Sequence, residues 1–191
     1  NLNHLPINLI SKNAKDKYEN VFVFDCGNSQ RLGVLEDIAL NSKNIVVVDH
    51  HIDPSFGDIQ VIDPTAASTT QVLYREIISS DIEIDKNIAN CLMTGLITDT
   101  GRFQYSNTDY EVFQIASKLM VSGAELTSIS DNIYGSIPMN AIKLQSEVLN
   151  RIELFDDEEL VISYVLHEDY KKYNIESSEI DFLIDSIRLV K

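Results

Sequence analysis

Two short runs, Val21-Phe22-Val23-Phe24 and Ile45-Val46-Val47-Val48, constrain this chain more than any other feature. Neither alternates apolar with polar residues, so a strand built from either must be covered on both faces, the condition of a parallel sheet between layers of helix. Each run ends in an aspartate, Asp25 and Asp49. Between them Leu32, Leu35, Ile38 and Ala39 form a helical stripe within 31–41, which completes a β-α-β unit. A third run, Ile59-Gln60-Val61-Ile62, must stop at Asp63-Pro64, because proline cannot donate to a sheet ladder.

Further along, Ser68 and Thr69 offer capping oxygens to a helix through Val72, Leu73, Glu76 and Ile77. Residues 87–98 read as a helix or a helix-to-strand element, and 108–122 as an amphipathic helix ended by Gly123. After Asn140 come a helix over 141–152, a strand over 160–166 and short helices over 168–173 and 179–187. The expected fold is therefore α/β, with an open, mainly parallel sheet flanked by helices over 1–125. A helical linker over 126–152 and the start of a smaller α/β domain over 153–191 follow.

With 191 residues, 44% of them hydrophobic, the chain can bury a sizeable core. It has no apolar run of the roughly 20 residues a bilayer requires and no signal-peptide pattern, so a cytoplasmic protein without a membrane partner is expected. Two cysteines, Cys26 and Cys91, make no disulfide framework and no metal-type spacing. A formal net charge of −15 argues against long duplex nucleic acid as a partner, because backbone binding needs a basic surface. A nucleotide would have to be held locally, by metal ions and a few placed donors.

Asp25, Asp49, His50, His51 and Asp99 all fall at or just beyond the ends of apolar elements. The carboxyl ends of strands in an open parallel sheet share one crevice, so these side chains can converge. Carboxylates with imidazoles and no nearby thiolates suit a hard divalent ion better than structural zinc. Two such ions about 3.5 to 4 Å apart would activate a water and neutralise phosphoryl oxygens, the chemistry of phosphoester hydrolysis. An aspartate that ends a strand is often only a turn or cap residue. The adjacent His50-His51 pair is harder to explain that way: successive residues there point to different sides, so one would ligate and the other would meet substrate.

These residues resemble the DHH phosphoesterase family. Val48-Asp49-His50-His51 is similar to its D-H-H signature, and Phe24-Asp25-Cys26-Gly27 to its preceding aspartate motif. Asp63-Pro64-Thr65-Ala66-Ala67-Ser68-Thr69-Thr70 and the stretch from Thr94 through Asp99 to Phe103 look like the motifs that follow in order. The Thr94 to Phe103 run, with Ser106-Asn107-Thr108, is most similar to the bifunctional oligoribonuclease and 3′-phosphoadenosine 5′-phosphate (pAp) phosphatase type. The resemblance implies that Asp25 bridges two metal ions, Mn²⁺ first and Mg²⁺ or another divalent ion as alternatives. His50 and Asp99 would complete the second ion's shell, Asp49 would orient His50, and His51 would contact the scissile phosphate. The catalytic pair is then His51 and Asp49, the metal set is Asp25, His50 and Asp99, and Arg102 is a further candidate for substrate phosphate.

Two departures bear on that reading. The family's first motif, a histidine and two aspartates on an upstream strand, has no counterpart, since His4 is followed by Leu5-Pro6-Ile7. The glycine-rich histidine motif of its C-terminal substrate domain does not occur after Asn150 either. The chain also starts at Asn1, so it is expected to be cut short at both ends and to carry only part of a dinuclear shell. The expected activity is hydrolysis of short RNA and pAp. Cyclic-dinucleotide hydrolysis and a catalytically silent nucleotide- or partner-binding module are the alternatives; manganese pyrophosphatase fits less well, and homodimerisation stays open. Ser68, Thr69 and Thr70 read as helix caps rather than a phosphate site, and 156–159 as a solvated acidic turn.

Overall fold

The computed structural model describes residues 17–52, 55–155, 160–176, 180 and 182–188, so His4 and the acidic stretch 156–159 lie outside the described residues. Two units divide after Ser130. In the first, strands β1 (Asn20–Phe24), β2 (Asn44–Asp49) and β3 (Ile59–Ile62) form a parallel sheet in the order β1-β2-β3. The three apolar runs of the sequence are these strands. Phe24 pairs with Val48, and Val48 with Val61. The ladder continues one step further, through the Asp25 N–H on the Val48 carbonyl (3.0 Å) and the Asp63 N–H on the Asp49 carbonyl (3.2 Å). Register alone therefore lines Asp25, Asp49 and Asp63 along the carboxyl edge of the sheet.

Both faces of the central strand are covered, as its unbroken apolar run requires. Val23, Cys26, Ile45 and Val47 pack with Leu32 and Phe56 on one side, while Val48, Ala66 and Val72 pack with Leu73 on the other. Val47 is fully buried, and a valine removed from water contributes roughly 1.5–3 kcal/mol. The stripe read over 31–41 is not one helix. A 3-10 segment spans Ser29–Leu35 and α1 spans Glu36–Leu40, with Gly33 non-helical inside the first (φ 55, ψ −124). Glycine has no Cβ to resist that backbone.

The link from β2 to β3 carries no helix among its described residues, unlike the usual parallel crossover. Close backbone contact takes its place. A Cβ on Gly57 would come within 2.6 Å of Val47 Cγ2. Asp58 donates its N–H to the Ile45 carbonyl (2.9 Å) and accepts the Ile45 N–H on its carboxylate (2.8 Å), pinning the start of β3 to β2.

Helices α2 (Thr69–Ser79), α3 (Lys86–Asp99) and α4 (Tyr110–Val121) follow, capped by Ser68, Asp85 and Asp109. Met93, Leu96, Ile97, Val112 and Leu119 form their buried seam. The 87–98 element is thus helical throughout, and Asp99 is the last residue of a helix rather than the end of a strand.

Helix α5 (Leu126–Tyr134) spans the division between the units. The second unit holds α6 (Met139–Asn150), an antiparallel hairpin of β4 (Glu153–Phe155) and β5 (Leu160–Ile162), α7 (His167–Tyr173) and α8 (Phe182–Arg188). Leu144 and Val148 of α6 are buried with Ile175 and Leu183, so the helix read as part of a linker packs into this unit's core. Arg151 joins the buried Asp169, whose second oxygen accepts at 3.0 Å. The strand read over 160–166 is shorter than expected, and its partner β4 had not been read as a strand.

Candidate metal centre

Asp25 leaves the end of β1 with φ 58, in the left-handed region that few non-glycine residues occupy. Aspartate is among the residues that tolerate it, and strained backbone of this kind clusters at functional sites. The turn brings the half-exposed Asp25 carboxylate above the sheet edge, where Thr69, at the first turn of α2, donates its hydroxyl to Asp25 Oδ1 at 2.8 Å. Thr69 is buried, so the donor side of this bond is shielded from bulk water.

Asp49, fully buried at the end of β2, accepts three hydrogen bonds on Oδ1: from the His50 N–H (2.7 Å), the His51 N–H (3.0 Å) and the His51 ring Nδ1 (2.7 Å). Burial alone would push its carboxyl up, yet these hydrogen bonds and the charge of His51 bring it below the usual carboxylate range. Its Oδ2 is buried with no partner among the described residues. The sequence reading had Asp49 orienting the His50 ring. Its side chain instead takes the ring of His51 and touches His50 only through the backbone.

The His50 ring is set by Ala66, whose carbonyl lies 3.2 Å from Nδ1. A carbonyl can only accept, so Nδ1 donates to it and Nε2 is the ring nitrogen left to face the crevice. Nε2 lies 3.6 Å from Asp25 Oδ1. The His51 Nδ1 is 3.8 Å from the same oxygen. The two rings meet edge to face at 4.6 Å between centroids.

Asp99 enters from the C-terminal end of α3. Burial pushes its carboxyl above the usual range and the charge of Asp25 adds to this, while His50, Thr98 and His51 pull the other way. Asp99 therefore shares the field of the cluster, but it lies outside the four residues, Asp25, Asp49, His50 and His51, whose donor atoms all sit within 4.8 Å of one another. Beyond it Gly101, Arg102 and Phe103 have φ of 54, 61 and 65, a left-handed turn that terminates the helix and leaves Arg102 exposed. Thr100, fully buried, holds the turn by accepting the Phe103 N–H on its hydroxyl (3.1 Å) and the N–H groups of Gln104 and Tyr105 on its carbonyl.

Three partners in this site have no role in the sequence reading: the Ala66 carbonyl on His50, the Thr69 hydroxyl, read only as a cap, and Asn107, quoted only within its motif, which donates to the Ala67 and Asp99 carbonyls. The Asp63 motif has its own anchor, for Arg75 of α2 pairs with Asp63 and, through two bonds of 2.8 and 2.7 Å, with Glu111 of α4. Hydrogen bonds from Thr65 first, and then the Arg75 guanidinium, hold the Asp63 carboxyl below its ordinary value; Arg75 does the same to Glu111. Grooves of about 550 and 590 Å³ run beside α4, both lined by Phe113, and neither includes a member of the acid-imidazole cluster.

The donor set fits a hard divalent cation. It offers carboxylate oxygens and an imidazole ring held by its Nδ1, and it contains the orphaned Asp49 Oδ2 at its floor. An open parallel sheet with such a set at its carboxyl edge defines the class: an α/β protein with a candidate divalent-metal site in the crevice at the strand ends.

Within that class the chain is similar to the DHH family: residues 3–96 match the model of the DHH family, N-terminal domain. It is 33% identical over 109 residues to the bifunctional oligoribonuclease and PAP phosphatase NrnA of Thermus thermophilus, covering 56% of this chain and 33% of the relative. A probable enzyme of the same name from Streptococcus mutans is 26% identical over 171 residues, 88% of this chain and 54% of the relative. The chain thus spans between a third and about half of the length of these relatives. Its fold is similar to an exopolyphosphatase-related protein from Bacteroides fragilis, with a TM-score of 0.81, 24% identity, and coverage of 91% of this chain and 52% of that one. Among the described residues no helix is long and apolar enough to cross a membrane.

Proposed function

We propose that this chain forms part of a cytoplasmic, metal-dependent phosphoesterase that hydrolyses short oligoribonucleotides and pAp. The observation that carries the reading is the meeting of Asp25, Asp49, His50 and His51 within 4.8 Å, with the His50 ring held by Nδ1 on the Ala66 carbonyl. Asp25, His50 and Asp99 would hold the ion, Mn²⁺ by preference, and with further ligands a pair of ions. When bound, such ions supply Lewis-acid polarisation of the phosphoryl group and lower the pKa of a water.

The chain's own residues do the rest. Thr69 fixes Asp25 by Oδ1, the oxygen that also faces His50 and His51. Asp49 holds His51 by Nδ1, which leaves Nε2 to meet the scissile phosphate or hold a proton against it. Arg102 extends from the turn after Asp99 as a planar donor for a second phosphate. The acidic surface leaves phosphate recognition to these few groups, which suits a substrate of a few nucleotides rather than a long strand.

Because the chain carries only part of the metal shell, it is expected to hydrolyse little alone, and the test is hydrolysis by the complete protein of which it forms part, loaded with Mn²⁺, of a diribonucleotide, of pAp and of cyclic di-AMP, together with metal content. Turnover of the first two is expected, with His51→Ala lowering kcat by roughly 10²-fold or more while metal is retained, and Asp25→Ala losing the metal itself. Equal metal content in the two variants overturns the assigned roles. Turnover of cyclic di-AMP alone replaces the substrate, and binding without turnover of any of the three replaces the enzyme by a binding module.

A further inference from the structure

His50 and Asp99 come from different elements, the end of β2 and the last turn of α3, and neither strand register nor a helix cap sets the distance between them. Asn107 does. Its side-chain Nδ2 carries two hydrogens and donates to the Ala67 carbonyl at 3.2 Å and to the Asp99 carbonyl at 3.0 Å. Both partners can only accept, so the orientation of the amide is not open to choice.

The Ala67 side of this bridge leads directly to the His50 ring. Ala66, one residue earlier, accepts the His50 Nδ1 hydrogen. The N–H of Ala67 goes to Gln71 Oε1 at 2.7 Å, a side chain only 2% exposed. The segment that accepts from the His50 ring is thus held by Gln71 from within α2 and by Asn107 from outside. On its other side Asn107 takes one of the C-terminal carbonyls that α3 cannot satisfy by itself. It reaches that carbonyl because the left-handed turn at Gly101, Arg102 and Phe103 folds the chain back over the helix end. A serine would bring one donor to this position and an aspartate would set a carboxylate against two carbonyl oxygens, so a primary amide alone serves both partners.

We infer that Asn107 is a positioning residue: by tying the Ala66–Ala67 segment to the end of α3 it sets the spacing of His50 and Asp99, and with it the affinity for a divalent ion. This rests on the metal-dependent reading above. The experiment is a double-mutant cycle of Asn107→Ala with Asp99→Asn, read by calorimetric titration with Mn²⁺ alone. Asn107→Ala is expected to weaken binding roughly tenfold, the scale of a lost outer partner of a metal ligand. In the Asp99→Asn background the same change should cost almost nothing, because the ligand it positions is gone.

The same tenfold loss in both backgrounds would mark a general structural role and overturn the inference, as would unchanged affinity in Asn107→Ala. Asn107→Asp, which keeps the shape and removes the donors, should behave like the alanine variant. It carries the cycle if the alanine protein does not fold, and wild-type affinity in it also overturns the inference. A wild-type protein that takes up no Mn²⁺, or an Asp99→Asn protein that binds as the wild type does, would bring down the metal reading itself, an outcome distinct from failure of Asn107 alone.

Discussion

Asp99 shows what it costs one residue to be poised at this site. Its burial and the neighbouring Asp25 raise its carboxyl above the usual range, so in the metal-free protein its ionisation opposes folding. A carboxyl with a raised folded-state value favours the fold below its unfolded value of about 3.9, and that contribution is lost as pH rises through the folded value. Asp99→Asn should therefore melt at a higher temperature than the wild type at pH 7 in the presence of a chelator. The difference should close as the pH falls to about 4 and below, where both side chains are neutral. A lower or equal melting temperature at pH 7 would contradict this. Residue by residue, sequence reading singled out side chains that the structure gathers, because Asp25, Asp49 and the histidines terminate apolar runs. It could not find what fixes them. The Ala66 carbonyl is a backbone group that any residue there would supply, and the bond from Thr69 to Asp25 spans a sequence separation of 44. The exchange of His50 for His51 on Asp49 has the same origin, for which ring faces the carboxylate is settled by the turn after β2.

At the scale of elements, the site depends on how closely α3 approaches α2, since one presents Asp99 and the other Thr69. Gly95 permits that approach: a Cβ there would come within 2.3 Å of Thr70 Cγ2. Gly95→Ala must push the helices apart, and overpacking of this kind costs about 1–3 kcal/mol. The expected outcome is a lower denaturant midpoint together with weaker Mn²⁺ binding, and partial recovery of both on adding Thr70→Ser, which removes the methyl group in the way. If the double variant is no better than Gly95→Ala, the contact is not what limits the approach. Elements with strong periodicity were legible in advance, among them the three strands and the α2 and α4 helices. The reading failed where one residue outweighs a pattern. Gly33 breaks a helix that the spacing of Leu32, Leu35 and Ile38 predicts, and the run before Asp99 is as compatible with a strand as with a helix until its packing on α2 and α4 is known. Periodicity also says nothing of the Arg75 clamp, whose carboxylates lie 12 and 36 positions away.

For the whole molecule, the division after Ser130 separates two cores. Asp25, Asp49, His50, His51 and Asp99, with Thr69 and Asn107, all belong to the first, and the second is organised around α6, with Leu144 fully buried against Ile175 and Leu183. If the units are energetically as separate as their cores, damage to one leaves the other's chemistry in place. Leu144→Ala removes a fully buried side chain and should destabilise the second unit by about 2–5 kcal/mol. Hydrogen exchange is expected to accelerate across α6, α7 and α8 while the amides of β1, β2 and α3 keep their protection, and Mn²⁺ should bind with unchanged affinity. Phosphoester turnover would then report whether the second unit contributes to the substrate: a rise in KM with kcat preserved places it at the nucleotide, whereas loss of Mn²⁺ affinity would mean that the ion site itself relies on both cores and that the division is only geometric.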